Sequence, residues 1–159
     1  MNIKINRNEL ISTKNALKNQ WMRKQLNIEI KTAEGSRYID NVKKRKIKEY
    51  SLSSQNRRKF LMYCIRAQLE DDYLLVSDLI KLIGISRAGA ETMIKECEAA
   101  KWITVKRCKR HRRKIQASDL TVETYEEYCN WLWEIINKSD MRSLSGSINE
   151  IEKLERTLS

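Results

Sequence analysis

Residues 74–106 contain the pattern that decides the fold, and they read LLVSDLIKLIGISRAGAETMIKECEAAKWITVK. The apolar segment DLIKLI predicts a short helix that Ser77 caps and Gly84 ends, because glycine readily adopts the left-handed conformation of a helix stop. Ser86 is the predicted cap of a second helix over 86–101. Apolar residues at helical spacing predict the inner face of that second helix, and they are Ala90, Met93, Ile94 and Cys97.

The segment after the second helix predicts a two-stranded hairpin. Residues 102–105 (WITV) have strand character, and residues 114–117 (KIQA) can pair with them. Between these strands lies KRCKRHRRK, residues 106–114, in which seven of the nine residues are Lys or Arg. We refer to residues 106–114 as the basic wing. Such a density of like charge gains nothing from burial and favours an external polyanion as its partner.

A further predicted helix precedes the quoted segment. Ser54 is its predicted cap, the helix extends from about Gln55 to Glu70, and its apolar stripe comprises Phe60, Leu61, Cys64, Ile65 and Leu69. A helix, a short helix, a glycine-containing turn, another helix and a hairpin follow one another in the winged helix-turn-helix plan. The sequence therefore predicts a mainly α-helical protein with a winged-helix domain over 54–120.

Helices are also predicted on both sides of this domain. Residues 1–53 are expected to form a helix from about Arg7 to Leu26, a small hairpin over 27–40 and a basic arm. After residue 120, an amphipathic helix over 121–137 offers Tyr125, Tyr128, Trp131, Leu132 and Ile135 for packing. A heptad-like seam follows, formed by Leu144, Ile148, Ile151, Leu154 and Leu158. We interpret residues 121–159 as dimerisation helices.

Charge is distributed unevenly along the 159-residue chain, whose formal net charge is +11. Residues 1–120 hold 28 of the 32 Lys and Arg residues, whereas residues 121–159 hold 8 acidic and 4 basic residues. This division predicts a basic nucleic-acid-reading part joined to an acidic structural part. No apolar run is long enough to span a membrane, and the first ten residues are too polar for a signal peptide. We therefore expect a cytoplasmic protein.

The winged-helix plan predicts binding of double-stranded DNA, with the helix over 86–101 in the major groove and the basic wing on the phosphates or in the minor groove. Arg87, Glu91, Thr92 and Lys95 fall away from the inner face of the helix and are the candidates for base or phosphate contact. Glu91 can accept a hydrogen bond from cytosine, or pair with Arg87 or Lys95. The candidates in the basic wing are Lys106, Lys109, Arg110, Arg112 and Arg113, and Arg57 and Arg58 are further candidates for phosphate contact.

Residues 54–137 resemble the DNA-binding part of MarR-type transcriptional regulators. The resemblance rests on the quoted segment, with its Ser-started second helix, and on HRRKIQASDLTVETY, in which Arg113 matches the family's wing arginine and Leu120-Thr121 its Leu-Thr motif. His111 stands where an acidic residue is usual. The resemblance implies a winged-helix transcriptional regulator that forms a homodimer through helices at both chain ends. It leaves the small-molecule effector unspecified.

Other functions stay open at the level of sequence. A phage or plasmid protein for replication or packaging can use the same winged helix, and an RNA-binding protein would rely more on the basic arm. No catalytic constellation is present, so the sequence predicts no enzyme and no cofactor. The four cysteines lack C-x-x-C spacing, and Cys108 with His111 is a single weak pair, so no metal site is predicted. The basic surroundings of Cys108 leave a redox-sensing thiol as an alternative.

Overall fold

The structure is a computed structural model that describes residues 6–34 and 39–158. In chain order, these residues form α1 (Arg7–Glu34), α2 (Val42–Ser53), α3 (Gln55–Leu69), α4 (Val76–Ile83), α5 (Arg87–Ala99), β1 (Ile103–Arg107), β2 (Arg113–Ala117), α6 (Asp119–Lys138) and α7 (Met141–Thr157). They divide into two compact units. The central unit lies within Glu34–Tyr128, and the terminal unit lies within Met1–Ala33 and Cys129–Ser159.

The central unit is a winged helix-turn-helix, as the sequence predicts. Phe60 of α3, Leu79 of α4, Ile94 of α5 and Ile115 of β2 are almost completely buried and belong to one apolar cluster. The helices and the hairpin therefore share a single core. This core fixes the orientation of α5 and of the hairpin, because both contribute side chains to it.

Local capping signals account for three of the helix ends. The hydroxyl of Ser54 accepts a hydrogen bond from the backbone N–H of Arg57 at 3.1 Å, which satisfies one donor of the first turn of α3. The hydroxyl of Ser86 does the same for Gly89 at the start of α5, also at 3.1 Å. Gly84 ends α4 with φ of 76°, in the left-handed region. These three predictions are confirmed.

Two details of the predicted helices are wrong. Ser77 is not a cap, because α4 begins at Val76 and the residue before it is Leu75. The carboxylate of Asp78 closes that helix end instead, by accepting a hydrogen bond from the backbone N–H of Leu75 at 2.8 Å. Leu69 does not belong to the buried stripe of α3, since 64% of it is exposed at the last residue of the helix.

The hairpin has the predicted pairing and longer strands. β1 and β2 are antiparallel, with Ile103 opposite Ala117 and Arg107 opposite Arg113. The ends of the basic wing therefore lie within the strands, and only its middle forms the turn. Leu74 adds a bridge to Ile115 on the other edge of β2, which attaches the hairpin to the segment before α4.

The N-terminal part contains more helix than the sequence predicts. Helix α1 continues to Glu34, so the predicted hairpin over 27–40 is wrong for residues 27–34, while its turn at 35–38 lies outside the described residues. Ile28 is buried within this continuation, and burial favours one continuous helix. Part of the basic arm is also helical, since residues Val42–Ser53 form α2. Asn41 caps this helix by accepting a hydrogen bond from the backbone N–H of Lys44 at 3.1 Å.

In the terminal unit, ion pairs join α1 to the segment that contains α7. Lys14 pairs with Glu155, Lys18 with Glu152 at 3.1 Å, and Lys24 with Asp140. Because the residue numbers rise on one side and fall on the other, α1 and α7 run antiparallel. Only the beginning of the predicted seam is buried: Leu144 is 6% exposed, whereas Leu154 and Leu158 are 39% and 46% exposed.

Candidate nucleic-acid interface

The outer face of α5 carries the residues that the sequence selects for base contact. Arg87, Ala88, Thr92 and Lys95 are all exposed, whereas Ala90, Met93, Ile94 and Cys97 are buried on the opposite face, as predicted. Arg87 is the first residue of the helix. The outer face of α5 is therefore free of core packing and begins with a cation.

Arg113 of β2 binds Glu91, whose side chain stays 37% exposed and lines one surface cleft with Thr92 and Lys95. Nη1 of Arg113 donates to Oε2 of Glu91 at 2.9 Å, and Nη2 donates to Oε1, so the pair is bidentate. These hydrogen bonds hold the pKa of Glu91 below its usual value and raise the pKa of Arg113. The partner of Glu91 thus comes from the hairpin and not from its own helix, where the sequence suggests Arg87 or Lys95.

A second ion pair connects the hairpin to α5 from the other strand. Nη1 of Arg107 on β1 donates to Oε1 of Glu98 at 3.0 Å. Since Arg107 and Arg113 face each other across the strands, both sides of the hairpin are attached to α5. The two arginines at the base of the basic wing therefore hold the hairpin against the helix.

The tip of the basic wing is a tight turn that exposes cations. Residues 109–111 form the turn, in which Arg110 and His111 both have positive φ, of 63° and 59°. The backbone N–H of Cys108 donates to the carbonyl of Arg112 at 2.8 Å and closes the turn. The residues exposed there and on the adjoining strands are Lys106, Arg107, Lys109, Arg110, His111, Arg112 and Lys114.

The tip and the start of α5 line one cleft. One wall of the cleft is the start of α4 and the residue before it, and the others are Arg87 and the turn of the basic wing. The lining residues are Leu75, Val76, Ser77, Arg87, Arg110, His111, Arg112 and Arg113. The structure thus brings together Arg87 and three of the predicted wing residues. Ser77, which the sequence predicts only as a cap, lies in the first turn of α4, which begins two residues before the predicted helix, and lines this cleft.

Arg57 and Arg58 lie apart from this cleft. Nη2 of Arg57 donates to Oε1 of Glu96 at 3.2 Å, and its guanidinium lies 4.9 Å from the centre of the Tyr50 ring. The hydroxyl of Tyr50 donates to Oε2 of the same Glu96 at 3.0 Å. Arg58 is exposed and lines a different pocket. Phosphate contact by these two arginines stays a prediction.

The pocket beside Arg58 contains a lysine that the sequence does not single out. Nζ of Lys48 lies 4.3 Å from the centre of the Tyr128 ring, and apolar residues of α2 and α3, among them Ile47, Leu61 and Ile65, line the same pocket. Burial, and then the charge of Arg58, lower the pKa of Lys48. In the sequence Lys48 is one of several lysines in a basic run, and nothing there distinguishes it.

Cysteines do not form a reactive or metal-binding cluster in the described part of the chain. Cys64 and Cys97 are buried, and burial raises the pKa of both thiols, that of Cys97 to about 11. Cys108 is half-buried, with its Sγ 3.8 Å from the carbonyl oxygen of Lys106, and Cys129 is half-buried as well. Among the described residues, no three His, Cys, Asp or Glu side chains come together as a metal site requires.

The chain has detectable similarity to solved structures, whereas its sequence matches no protein-family model and no curated protein. Heme-free PefR is 15% identical over 89% of this chain and 94% of its own, with a TM-score of 0.47. MepR, a transcription regulator of the Staphylococcus aureus multidrug efflux pump MepA, is 15% identical over 77% of this chain and 95% of its own, with a TM-score of 0.49. Disulfide-formed AbfR is 16% identical over 91% and 95%, with a TM-score of 0.39. These three neighbours are MarR-family regulators.

No helix in the described ranges combines the length and the apolar character needed to cross a bilayer.

Proposed function

We propose that this protein binds double-stranded DNA sequence-specifically and regulates transcription, as a binding protein without catalytic activity. The observation that carries the proposal is the shared cleft, in which Arg87 at the start of α5 lies beside Arg110 and Arg112 of the basic wing. A helix has the right width for the major groove, where base edges differ in their donors and acceptors. A basic hairpin beside that helix can then contact the phosphates or the minor groove.

The ion pairs distinguish two groups of cations in and beside the basic wing. Arg107 and Arg113 are bound to glutamates of α5, so they are positioned to hold the hairpin in place. Lys106, Lys109, Arg110 and Arg112 are exposed and supply the charge for phosphate contact. On α5, Arg87 fits a guanine edge, and Lys95, two turns further along, fits a phosphate.

The protein acts, in this proposal, as a homodimer through its terminal unit. Exposed apolar residues recur every four positions along α1, where Met22, Leu26 and Ile30 are 50%, 55% and 54% exposed. Such a stripe is costly to leave in water and fits a second copy of the chain. A two-fold dimer would read a pseudo-palindromic site, whose half-sites lie about 34 Å, one turn of DNA, apart.

The experiment is a selection of duplexes from a random-sequence pool, followed by affinity measurements at several salt concentrations. Replacing Lys109, Arg110 and Arg112 by Ala should weaken binding to every duplex and flatten the plot of log affinity against log salt by about 0.9 for each phosphate that the variant no longer neutralises. The matched control replaces Arg7, Arg23 and Lys31 by Ala. These exposed cations of α1 carry the same total charge but lie outside the central unit. Equal slopes in the two variants would remove the basic wing from the DNA-binding account.

Two further arms separate the competing functions. A double-stranded RNA competitor that displaces the selected duplex at equal concentration would contradict DNA as the partner. Sequencing of fragments bound in cells should recover palindromes near promoters. One cluster at a replication origin or terminus would instead favour a replication or packaging protein and overturn the regulatory role.

A further inference from the structure

Thr92 uses its hydroxyl group within its own helix. The hydroxyl donates to the carbonyl of Ala88, one turn earlier on α5, at 3.0 Å. The donor proton is therefore already engaged, although the residue is exposed. Thr92 therefore has no proton left to donate, and it offers a ligand its apolar methyl group and the acceptor lone pairs of its oxygen.

Ala88 places a second methyl group on the same face. Residues four positions apart on a helix are neighbours on its surface, and Ala88 is exposed like Thr92. The two methyl groups form a short apolar strip between the cations Arg87 and Lys95. The centre of the outer face of α5 is thus suited to an apolar contact, and its ends are suited to anions or to acceptor atoms.

The carboxylates of α5 are all engaged in contacts within the protein. The helix has three acidic residues, and each is bound by a residue from another element: Glu91 by Arg113, Glu96 by Tyr50 and Arg57, and Glu98 by Arg107. A carboxylate is the group that would accept from the amino group of cytosine. Arg113 occupies one lone pair on each oxygen of Glu91, so the bidentate ion pair orients this carboxylate toward the hairpin.

Thymine is the base that presents a methyl group in the major groove. We propose that α5 recognises thymine through its 5-methyl group, with Ala88 and Thr92 as the specificity-determining residues beside a guanine bound by Arg87. This inference rests on the proposed DNA-binding function and adds the identity of the bases that are read. It implies that each half-site contains thymine next to guanine.

The test uses the duplex of highest affinity recovered from the random-sequence pool. Its thymines are replaced one at a time by deoxyuridine, which lacks the methyl group and keeps every hydrogen-bonding atom. For the wild-type protein, uracil at the thymine facing Ala88 and Thr92 should reduce affinity about fourfold, the equivalent of about 0.8 kcal/mol for one buried carbon group. Uracil elsewhere in the site should have little effect.

Two variants of Thr92 assign the effect to its methyl group. Thr92→Ser keeps the hydroxyl and removes the methyl, so it should bind the thymine and uracil duplexes with affinities that differ less than twofold. Thr92→Val keeps a methyl group and removes the hydroxyl, so the preference for thymine should persist. The opposite pattern in the two variants would assign recognition to the hydroxyl and overturn the proposal.

The outcomes distinguish this inference from the function on which it rests. If the wild-type protein binds the selected duplex tightly and tolerates uracil at every position, the inference fails while the DNA-binding function stands. If the pool yields no preferred duplex at all, sequence-specific binding fails, and the inference fails with it.

Discussion

Arg113 of β2 and Glu91 of α5 form a bidentate ion pair that links the hairpin to the helix beside it. The two side chains are partly exposed, so water and salt screen part of their attraction. We expect a double-mutant cycle with Arg113→Ala and Glu91→Ala to give a coupling free energy of about 0.5 kcal/mol in chemical unfolding. A coupling indistinguishable from zero would mean that the pair does not hold the hairpin.

The same pair predicts a pH dependence of stability. The pKa of Glu91 is lower in the folded protein than its ordinary value of 4.5. Its contribution is therefore complete above that value and is lost as the pH falls through the lower pKa of the folded state. As the pH falls below 4.5, the free energy of unfolding should fall less steeply in Glu91→Gln than in the wild type. Parallel pH profiles of the two proteins would contradict the assignment.

Replacing Arg87 should reduce the preference for one DNA sequence more than it reduces the affinity for DNA in general. We expect Arg87→Ala to cost about 1–3 kcal/mol of discrimination at one base pair, because the variant can no longer donate two hydrogen bonds to guanine there. Affinity for nonspecific duplexes should change little. The measurement is binding to a panel of single-base variants of the selected site. A uniform weakening across the panel would reassign Arg87 to a phosphate.

Arg57 should matter for stability and not for DNA affinity. Its hydrogen bond to Glu96 and its stacking on Tyr50 join α3 to α5 and α2. We expect Arg57→Ala to lower the free energy of unfolding by about 1 kcal/mol, and Arg58→Ala, at an exposed neighbour, to lower it less. The salt dependence of DNA binding should stay the same in Arg57→Ala. A flatter salt dependence would restore Arg57 to the DNA-binding surface.

Dimerisation can be tested without deleting a helix. The double substitution Leu26→Gln and Ile30→Gln should shift the protein toward a monomer in sedimentation and weaken binding to paired half-sites more than to a single half-site. The control is Met62→Gln with Leu69→Gln, which replaces two apolar residues of α3 in the central unit that are 41% and 64% exposed. Identical sedimentation of the two variants would remove α1 from the interface.

Burial of the charged Lys48 side chain lowers the stability of the folded protein at neutral pH. Burial lowers the pKa of Lys48 below 10.5, so the folded state disfavours the charged form of Lys48, which prevails at pH 7. The free energy of unfolding should therefore increase as the pH rises from the pKa of the folded state toward 10.5. We expect Lys48→Met to raise the free energy of unfolding by about 0.5 kcal/mol at pH 7, since partial exposure reduces the effect. Lys46→Met, at an exposed position of the same helix, is the control and should change little.

Local chemistry is what made the winged helix predictable. Ser54, Gly84 and Ser86 act through hydrogen bonds and backbone angles within a few residues of themselves, so the sequence pattern contains the whole cause. The strand character of residues 102–105 and 114–117 is equally local. The start of α4 was mispredicted because Asp78 can serve the helix end as well as Ser77, and the pattern does not distinguish between them.

Nonlocal pairing explains what the sequence did not predict. Arg113 and Glu91 are 22 positions apart, and Arg57 and Glu96 are 39 apart, so no spacing rule relates them. A charged residue that the sequence pattern places on the surface can therefore form an ion pair with a residue of another element in the folded protein. The continuation of α1 to Glu34 was missed for a similar reason, because the burial of Ile28 favours helix where alternation suggested a strand.

The attachment of α5 bears on how such a protein can diversify. Its three glutamates are bound by partners on β2, on α2 and α3, and on β1, whereas the outward positions 87, 88, 92 and 95 take no part in these attachments. Substitutions at the outward positions leave every anchor of the helix in place. Under the proposed DNA-binding function, a duplicated copy of the gene can acquire a new target sequence by substitutions at these four positions, and the same positions can be varied together in engineering.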